Sequence, residues 1–504
     1  MSVLKRNIAA NFGGSVWTGL MGLVFVPLYI HFMGIEAYGL IGIFAALVAS
    51  LGLLDMGLSN TVNREMARLA VQPDRSQEMR DLVRTLEIPY WLVGLLIAVV
   101  VVCASPLIAY HWVKVEKLTP HSVQTGIMIM GLALAFQWPI AFYSGGLMGL
   151  QRQVLLNSIN AVMATFRGLG AVLVIWLVSP TVEAFFSWQI IVSAVHIGLV
   201  VFYLRRSLPH AAGSQRFRRE LLVKIWRFAA GVTGITVLAT ILMQLDKVIL
   251  SRMLSLEMFG YYTLAYVIAM TLTRFVVPVF SAAYPRLTNL VALGATVEIK
   301  ELYHKSAQLV SVLVLPVALV VAFYSKEILL LWTQDPAAAG HTHVLVSILV
   351  IGTALNGLMH IPYALQLAHG WTRLTFLVNL VSVLVLAPLM IILARSYGAV
   401  GAASVWVILN AGYVAAAVPI MHRRLLPAEK WHWYLVDVGL PLGVAVITAG
   451  ALHWAIPLPA NNIPLCVCIC MVSAITMGAT VLATPVTRDW IRIKIAAGGG
   501  YRAN

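Results

Sequence analysis

Stretches of more than twenty residues without one Asp, Glu, Lys or Arg recur along this sequence: 11–32, 88–111, 399–421 and 463–484 are among them. A fold bathed in water cannot hide so many consecutive apolar groups. A bilayer can, because its hydrocarbon core is about 30 Å thick and a crossing helix needs about 20 apolar residues. The composition agrees. Only 11% of the 504 residues are charged and 61% are hydrophobic, whereas a soluble domain averages about 25% charged. The chain is therefore expected to be an all-α polytopic membrane protein.

About fourteen transmembrane helices are predicted, at 11–32, 38–58, 88–111, 123–148, 154–178, 182–204, 229–252, 257–282, 305–325, 343–367, 373–394, 399–421, 435–457 and 463–484. The breaks between them carry Gly, Pro or charge, as turns do. The first apolar run is too long for a signal peptide and leads straight into a second, so it reads as a retained helix. The net charge of +15 would suit a nucleic-acid binder, but its distribution does not. With the N-terminus in the cytosol, 26 of the 34 Lys and Arg fall in inner connectors, five in outer ones and three inside spans. That asymmetry is the positive-inside pattern and predicts that both termini are cytosolic. Cys103, Cys466, Cys468 and Cys470 have no metal-ligand spacing and no disulfide framework, so they read as small packing residues. Trp431, Trp433 and Trp490 read as interfacial anchors.

The longest basic connector, 205–228, separates helices 1–6 (1–204) from helices 7–12 (229–421). The halves echo each other. MGIEAYG (33–39) opens the second span and LSLEMFG (254–260) opens the eighth, with Glu36 matching Glu257 and Gly39 matching Gly260. A repeat of six helices is a parallel repeat, so two six-helix lobes around a central cavity are expected. Two additional helices (435–484) and a cytosolic tail (485–504) follow.

Polar residues inside the spans fall on continuous helix faces. In the seventh span these are Thr233, Thr236, Thr240, Gln244, Lys247 and Ser251; in the fifth, Asn157, Asn160 and Arg167. The eighth presents Tyr266, Met270 and Arg274, and the tenth Asn356, His360 and Tyr363. Such residues are costly in lipid and face water or a partner, although Asn, Ser and Thr also join helices and His360 reads first as a packing histidine. Asp246 lies about 100° from Lys247 around the helix, so the two are not expected to pair. Arg167, Lys247, Arg274, Gln244, Asn160, Asn356 and His360 are the candidate cavity residues. A cavity with that excess of positive charge implies an anionic cargo.

The segments GIEAYGLIGIFAALVASLGLLDMGLSNTVNREMARLA (34–70), QLDKVILSRMLSLEMFGYY (244–262) and SYGAVGAASVW (396–406) resemble the polysaccharide transporter family. That family belongs to the multidrug/oligosaccharidyl-lipid/polysaccharide exporter superfamily. The resemblance implies an O-antigen-type flippase of the bacterial inner membrane. Its cargo would be an undecaprenyl-diphosphate-linked oligosaccharide, moved outward by alternating access, with polymerase and chain-length proteins as neighbours. It places Asp55 and Arg64 at the inner mouth and makes them, with Asp246, gating or coupling candidates; Asp55 reads equally as a helix-end residue. No cofactor and no metal are expected, with proton or sodium influx the candidate coupling. A cation-coupled multidrug antiporter of the same fold is the alternative, but it would want acidic residues in its lumen. A membrane enzyme would want a substantial outer loop; G-x-x-x-x-G-K-[ST], H-E-x-x-H and G-x-S-x-G are all absent.

Overall fold

The computed structural model describes residues 3–488 except 56, 71, 210–212 and 214, and the side chains of those residues except 3–9, 53–54, 73, 224–236 and 239. The described residues form helices joined by short connectors, with one isolated bridge between Lys114 and Ser255. Among the described residues, twelve helical stretches are long and apolar enough to cross a membrane. One of them, Arg373–Leu425, is 53 residues long and breaks at Gly398, where φ is 58° and ψ is −138°. It therefore holds both the eleventh and the twelfth expected spans.

Contacts divide the chain into two compact units, Met1–Gly260 and Tyr261–Asn504. The first begins with α1 (Val3–Val24), α2 (Val26–Met33), α3 (Ile35–Asp55), α4 (Leu58–Ala70) and α5 (Ser76–Leu107). It continues with α6 (Pro120–Gln137), α7 (Ile140–Gly149), α8 (Gln153–Leu177), α9 (Val182–Ser207), α10 (Arg219–Met253) and the start of α11 (Leu256–Met270). Local chemistry sets the boundaries. Thr119 and Thr181 accept hydrogen bonds from Ser122 N at 3.1 Å and Ala184 N at 3.3 Å, capping α6 and α9. Pro139 breaks the fourth span into α6 and α7, because proline has no N–H to continue the ladder.

Exposure shows which solvent the folded chain expects. On α5, Leu92, Leu95, Leu96, Val99 and Val100 are all more than half exposed. Their spacing of 3, 1, 3 and 1 is one helix stripe. The opposite face, with Tyr90, Gly94, Ile97 and Ala98, is buried. An apolar stripe turned outward is stable only against lipid.

The connector between the halves is strapped to α5. Arg205 pairs with Glu87 at 2.7 Å and Arg218 Nε with Asp81 at 2.7 Å. Arg216 N donates to Asp81, Arg218 N to Thr85 Oγ1, and Arg80 Nε to the carbonyl of Pro209. Glu87 and Asp81 are buried, so two of the connector's cations, Arg205 and Arg218, are committed to structural pairing. α10 packs on α3, α4 and α5 within this unit.

At the other end of the unit the two repeat motifs meet. A Cβ built on Gly39 would lie 2.4 Å from the carbonyl oxygen of Leu256, and one built on Gly260 would lie 2.3 Å from that of Ile35. Ile35 and Leu256 occupy the same place in their motifs, so the contact is reciprocal. Only glycine tolerates backbone approach this close. Glu36 accepts from the backbone N–H groups of Glu116, Lys117 and Leu118 at 2.6, 2.7 and 2.9 Å. Its match Glu257 pairs with Lys117 at 3.0 Å, and that carboxylate holds the Lys117 ammonium above the usual lysine range. The matched glutamates are thus unequal in energy. Glu36→Gln should lose roughly 1.5–3 kcal/mol, because its charge-assisted bonds are buried. Glu257→Gln should lose about 0–1 kcal/mol, since Lys117 is exposed. Chemical denaturation of the two variants checks the order.

The second unit holds the rest of α11, then α12 (Thr273–Leu293), α13 (Thr296–Phe323), α14 (Ser325–Thr333), α15 (Pro336–Leu358) and α16 (His360–Ala368). After these come α17 (Arg373–Gly412), α18 (Val418–Leu425), α19 (Lys430–His432), α20 (Leu440–Ala455) and α21 (Asn462–Ala483). Pro278 and Pro316 lie inside α12 and α13 without ending them. α13 is the hub: it packs on α12, α15, α20 and α21. Val320 and Tyr324 share a buried cluster with Ala449, Leu465, Cys468 and Val472. Cys468 is therefore a core residue, while Cys466 and Cys470 point outward. Trp431 is exposed as an anchor would be, but Trp433 is fully buried. The local helix widens there into a π turn over Trp433–Gly439, which rotates the ring inward against Tyr434 and His422. Trp490 lies outside the described residues.

Candidate functional site

Two polar rungs join α8 to α9 inside the first unit. In the first, Arg167 Nη1 donates to Gln189 Oε1 at 3.2 Å. Gln137 completes it from the end of α6: with the amide turned so that oxygen faces the guanidinium, Oε1 accepts from Nη1 at 2.5 Å and Nη2 at 3.3 Å. In the second, His196 Nε2 meets Asn160 Oδ1 at 3.2 Å. Asn160 and Arg167 are seven residues apart on α8, and Gln189 and His196 seven apart on α9, so each pair lies on one face. Between them on α9 the buried Ser193 hydroxyl has no partner among the described residues. Tyr29 adds a hydroxyl at the Gly168 carbonyl, 3.3 Å away.

The electrostatics of this site are one-sided. Arg167 lies near the middle of α8, and its bonding partners are amides. Among the described residues no carboxylate comes within 4 Å of it. The outer face of the same helix is lipid-like: Val162, Phe166, Leu169, Leu173 and Trp176 are exposed. The guanidinium therefore points into the bundle, half-buried and with its charge uncompensated. Gln189, Gln137 and His196 escaped the sequence analysis. The spacing of Gln189 and His196 on the sixth span is the same signal that singled out Asn160 and Arg167, so it was there to be read.

The remaining candidates are dispersed. Lys247 is 8% exposed, and its ammonium bonds the Met243 carbonyl at 2.8 Å and Asp246 at 3.1 Å. This corrects the expectation that Asp246 and Lys247 stay apart. Adjacent residues do diverge around a helix, but a four-carbon lysine stem is long enough to fold back over one turn and recover its neighbour. Gln244 presents a buried Oε1 with no partner among the described residues. The side chains of Thr233 and Thr236, the start of that stripe, lie outside the described residues. Arg274 is exposed at the break between α11 and α12.

Asn356 and His360 behave as structural residues. Asn356 Nδ2 donates to Asn410 Oδ1 at 2.8 Å, tying α15 to α17. His360 Nδ1 lies 3.0 Å from the Asn356 carbonyl and its ring packs on Phe280. Asp55 caps α4: Ser59 N and Oγ donate to it at 3.3 and 2.6 Å, and Tyr90 OH at 2.5 Å. Arg64 pairs with Glu65 at 2.9 Å.

The description "Polysaccharide biosynthesis protein" matches residues 4–291, more than half of the chain. The chain belongs to that family. A Shigella flexneri protein named "Putative O-antigen transporter" is 22% identical over 407 residues, covering 81% of this chain and 94% of that protein. Two solved structures share the fold. One is a lipid II flippase, MurJ, in an inward closed conformation, with a TM-score of 0.67, 14% identity, and coverage of 96% of this chain and 99% of that one. The other is an inward-facing MATE family multidrug transporter, with a TM-score of 0.65, 13% identity, and coverage of 81% and 96%. At such identities the likeness is one of fold. With the family and the curated relative, it makes this member a multi-pass membrane transporter and not an enzyme.

Proposed function

We propose that this transporter is a flippase for undecaprenyl-diphosphate-linked oligosaccharide, an O-antigen or exopolysaccharide repeat unit. It carries the unit from the cytosolic to the outer leaflet of the bacterial inner membrane by alternating access, with both termini in the cytosol. Polymerase and chain-length proteins would take up the product. The observation that carries this reading is Arg167, a mid-span cation held by amides and neutralised by no carboxylate among the described residues. A lone charge at the centre of a bilayer costs about 2.5–3.5 kcal/mol on the insertion scale. A visiting diphosphate would offset that cost with charge-assisted bonds. Asn160, His196 and Ser193 would meet sugar hydroxyls.

The energetics suit outward movement. A diphosphate carries about two negative charges, and a membrane negative inside favours export by about 2.3 kcal/mol per charge per 100 mV. The multidrug alternative has the MATE fold in its favour. Its cation would need a free acid, yet Asp246 is paired with Lys247 and Asp55 with the α4 N-terminus. A flip assay in proteoliposomes separates the two. Fluorescent undecaprenyl-diphosphate oligosaccharide should cross to the probed leaflet, faster with a potential than after its collapse. Export of a cationic dye under a proton gradient, with no movement of the lipid-linked sugar, would establish the antiporter instead.

A further inference from the structure

Away from the cationic rung, the second unit gathers chemistry that transport of an anion does not use. His304 stands in the third turn of α13. His432 ends α19, and Asp437 lies in the π turn that follows. Each offers one ligand atom, and these atoms all lie within 4.8 Å of one another. We infer that His304, His432 and Asp437 form a binding site for a divalent transition metal of the zinc class, joining α13 to the start of the span that contains α20.

The donor set is the first argument. Two imidazoles and one carboxylate are the ligands of a three-residue zinc site with one position left for water. His304 Nδ1 is 2.5 Å from Asp437 Oδ2, and His432 Nε2 is 3.7 Å from Asp437 Oδ1. Zinc bonds of about 2.0–2.2 Å place tetrahedral ligands about 3.3 Å apart, so the two Asp437 separations are within about 1 Å of that spacing and the imidazole pair, within 4.8 Å, closes by at most about 1.5 Å.

The helix geometry is the second. In an α-helix, residues five apart point about 140° away from each other. The π turn has hydrogen bonds from i to i+5, and it stacks His432 over Asp437. A π turn weakens a helix, and such turns concentrate at functional sites.

The outer contacts are the third. His304 Nε2 faces Glu429 Oε2 at 3.3 Å, which leaves Nδ1 for the metal. Lys300 holds Glu429 at 2.8 Å. Gln308 Nε2 donates to Asp437 Oδ1 at 2.8 Å, and Gln308 Oε1 accepts from Val486 N. Asp437 is fully buried while the His432 side chain is 46% exposed, so the site is rigid on one side and open to water on the other. The competing explanation is a His304 ring hydrogen-bonded between Asp437 and Glu429, with no metal.

The test uses the full chain in detergent, stripped with chelator and titrated with zinc chloride alone by calorimetry. Cobalt chloride serves as a coloured substitute. One equivalent should bind, and cobalt should give the intense visible bands of a tetrahedral site. His432→Ala, at a half-exposed position, should keep the fold of the stripped protein and lose both signals. Glu429→Gln should weaken zinc by about 10- to 100-fold. No heat and no cobalt bands in the unaltered protein would leave the three side chains as a metal-free hydrogen-bonded cluster. Equal binding by His432→Ala would place the metal elsewhere. Either result overturns the site.

Discussion

Gly39→Ala and Gly260→Ala each lower the thermal stability of the protein and slow its transport. Helix propensity alone demands the opposite sign, since alanine stabilises a helix interior by about 1 kcal/mol over glycine. The contact reverses it. The new methyl would sit 2.4 Å from the Leu256 carbonyl oxygen in one variant and 2.3 Å from the Ile35 carbonyl in the other. The obstacle is backbone, so the helices must separate rather than a side chain yield. Overpacking of this kind costs about 1–3 kcal/mol. If this end must close and reopen in each cycle, the same energy shifts that equilibrium roughly 5- to 150-fold. Because the contacts are reciprocal, the double variant should lose less than the sum of the singles: the first methyl has already made room for the second. Melting temperatures and flip rates for the four proteins decide the matter. A raised melting temperature in either single variant would mean that the motifs do not touch as described.

Arg167→Gln separates function from fold in the other direction. Removing a half-buried cation that has no counter-carboxylate among the described residues should leave stability unchanged or raise it, because a desolvated charge is lost and an amide can still bond Gln189. Transport of a diphosphate-linked substrate should fall. Hydrogen bonds to charged groups contribute about 1.5–3 kcal/mol, which corresponds to roughly 10- to 150-fold in rate. Arg167→Lys should recover part of that, keeping the charge but not the planar fork. The readout is a pair of numbers for each variant, the melting temperature and the flip rate. Parallel losses in both would make Arg167 a structural residue. Full transport with glutamine would remove it from the path.

The distinction between these sites reflects how each was encoded. Arg167 and Asn160 stood out because a polar residue in lipid is an anomaly that a sequence displays openly. Lys247 stood out for the same reason, but its partnership with Asp246 depends on side-chain length and rotamer, which periodicity does not describe. Asn356 and His360 share the polar signature but bring no cation: one bonds Asn410 across to α17 and the other a carbonyl of its own chain segment. Glu36 and Glu257 were read as matching marks of a repeat. That they hold one end of the first unit together, one through three amides and one through a lysine, is a matter of tertiary geometry.

What the sequence determined by itself is the solvent, the class and the rhythm: lipid, all-helical, with spans punctuated by charge and glycine. Each follows from local chemistry, since hydropathy, proline and caps act within one or two turns. The tertiary structure decided which polar faces find each other. It set Arg167 between two glutamines and committed the basic connector to Asp81 and Glu87. It also turned Trp433 inward and brought His304 to His432 and Asp437 across more than a hundred residues. A sequence records how costly a buried charge is, but the partner that offsets the cost comes from another helix, and only the packed structure says which.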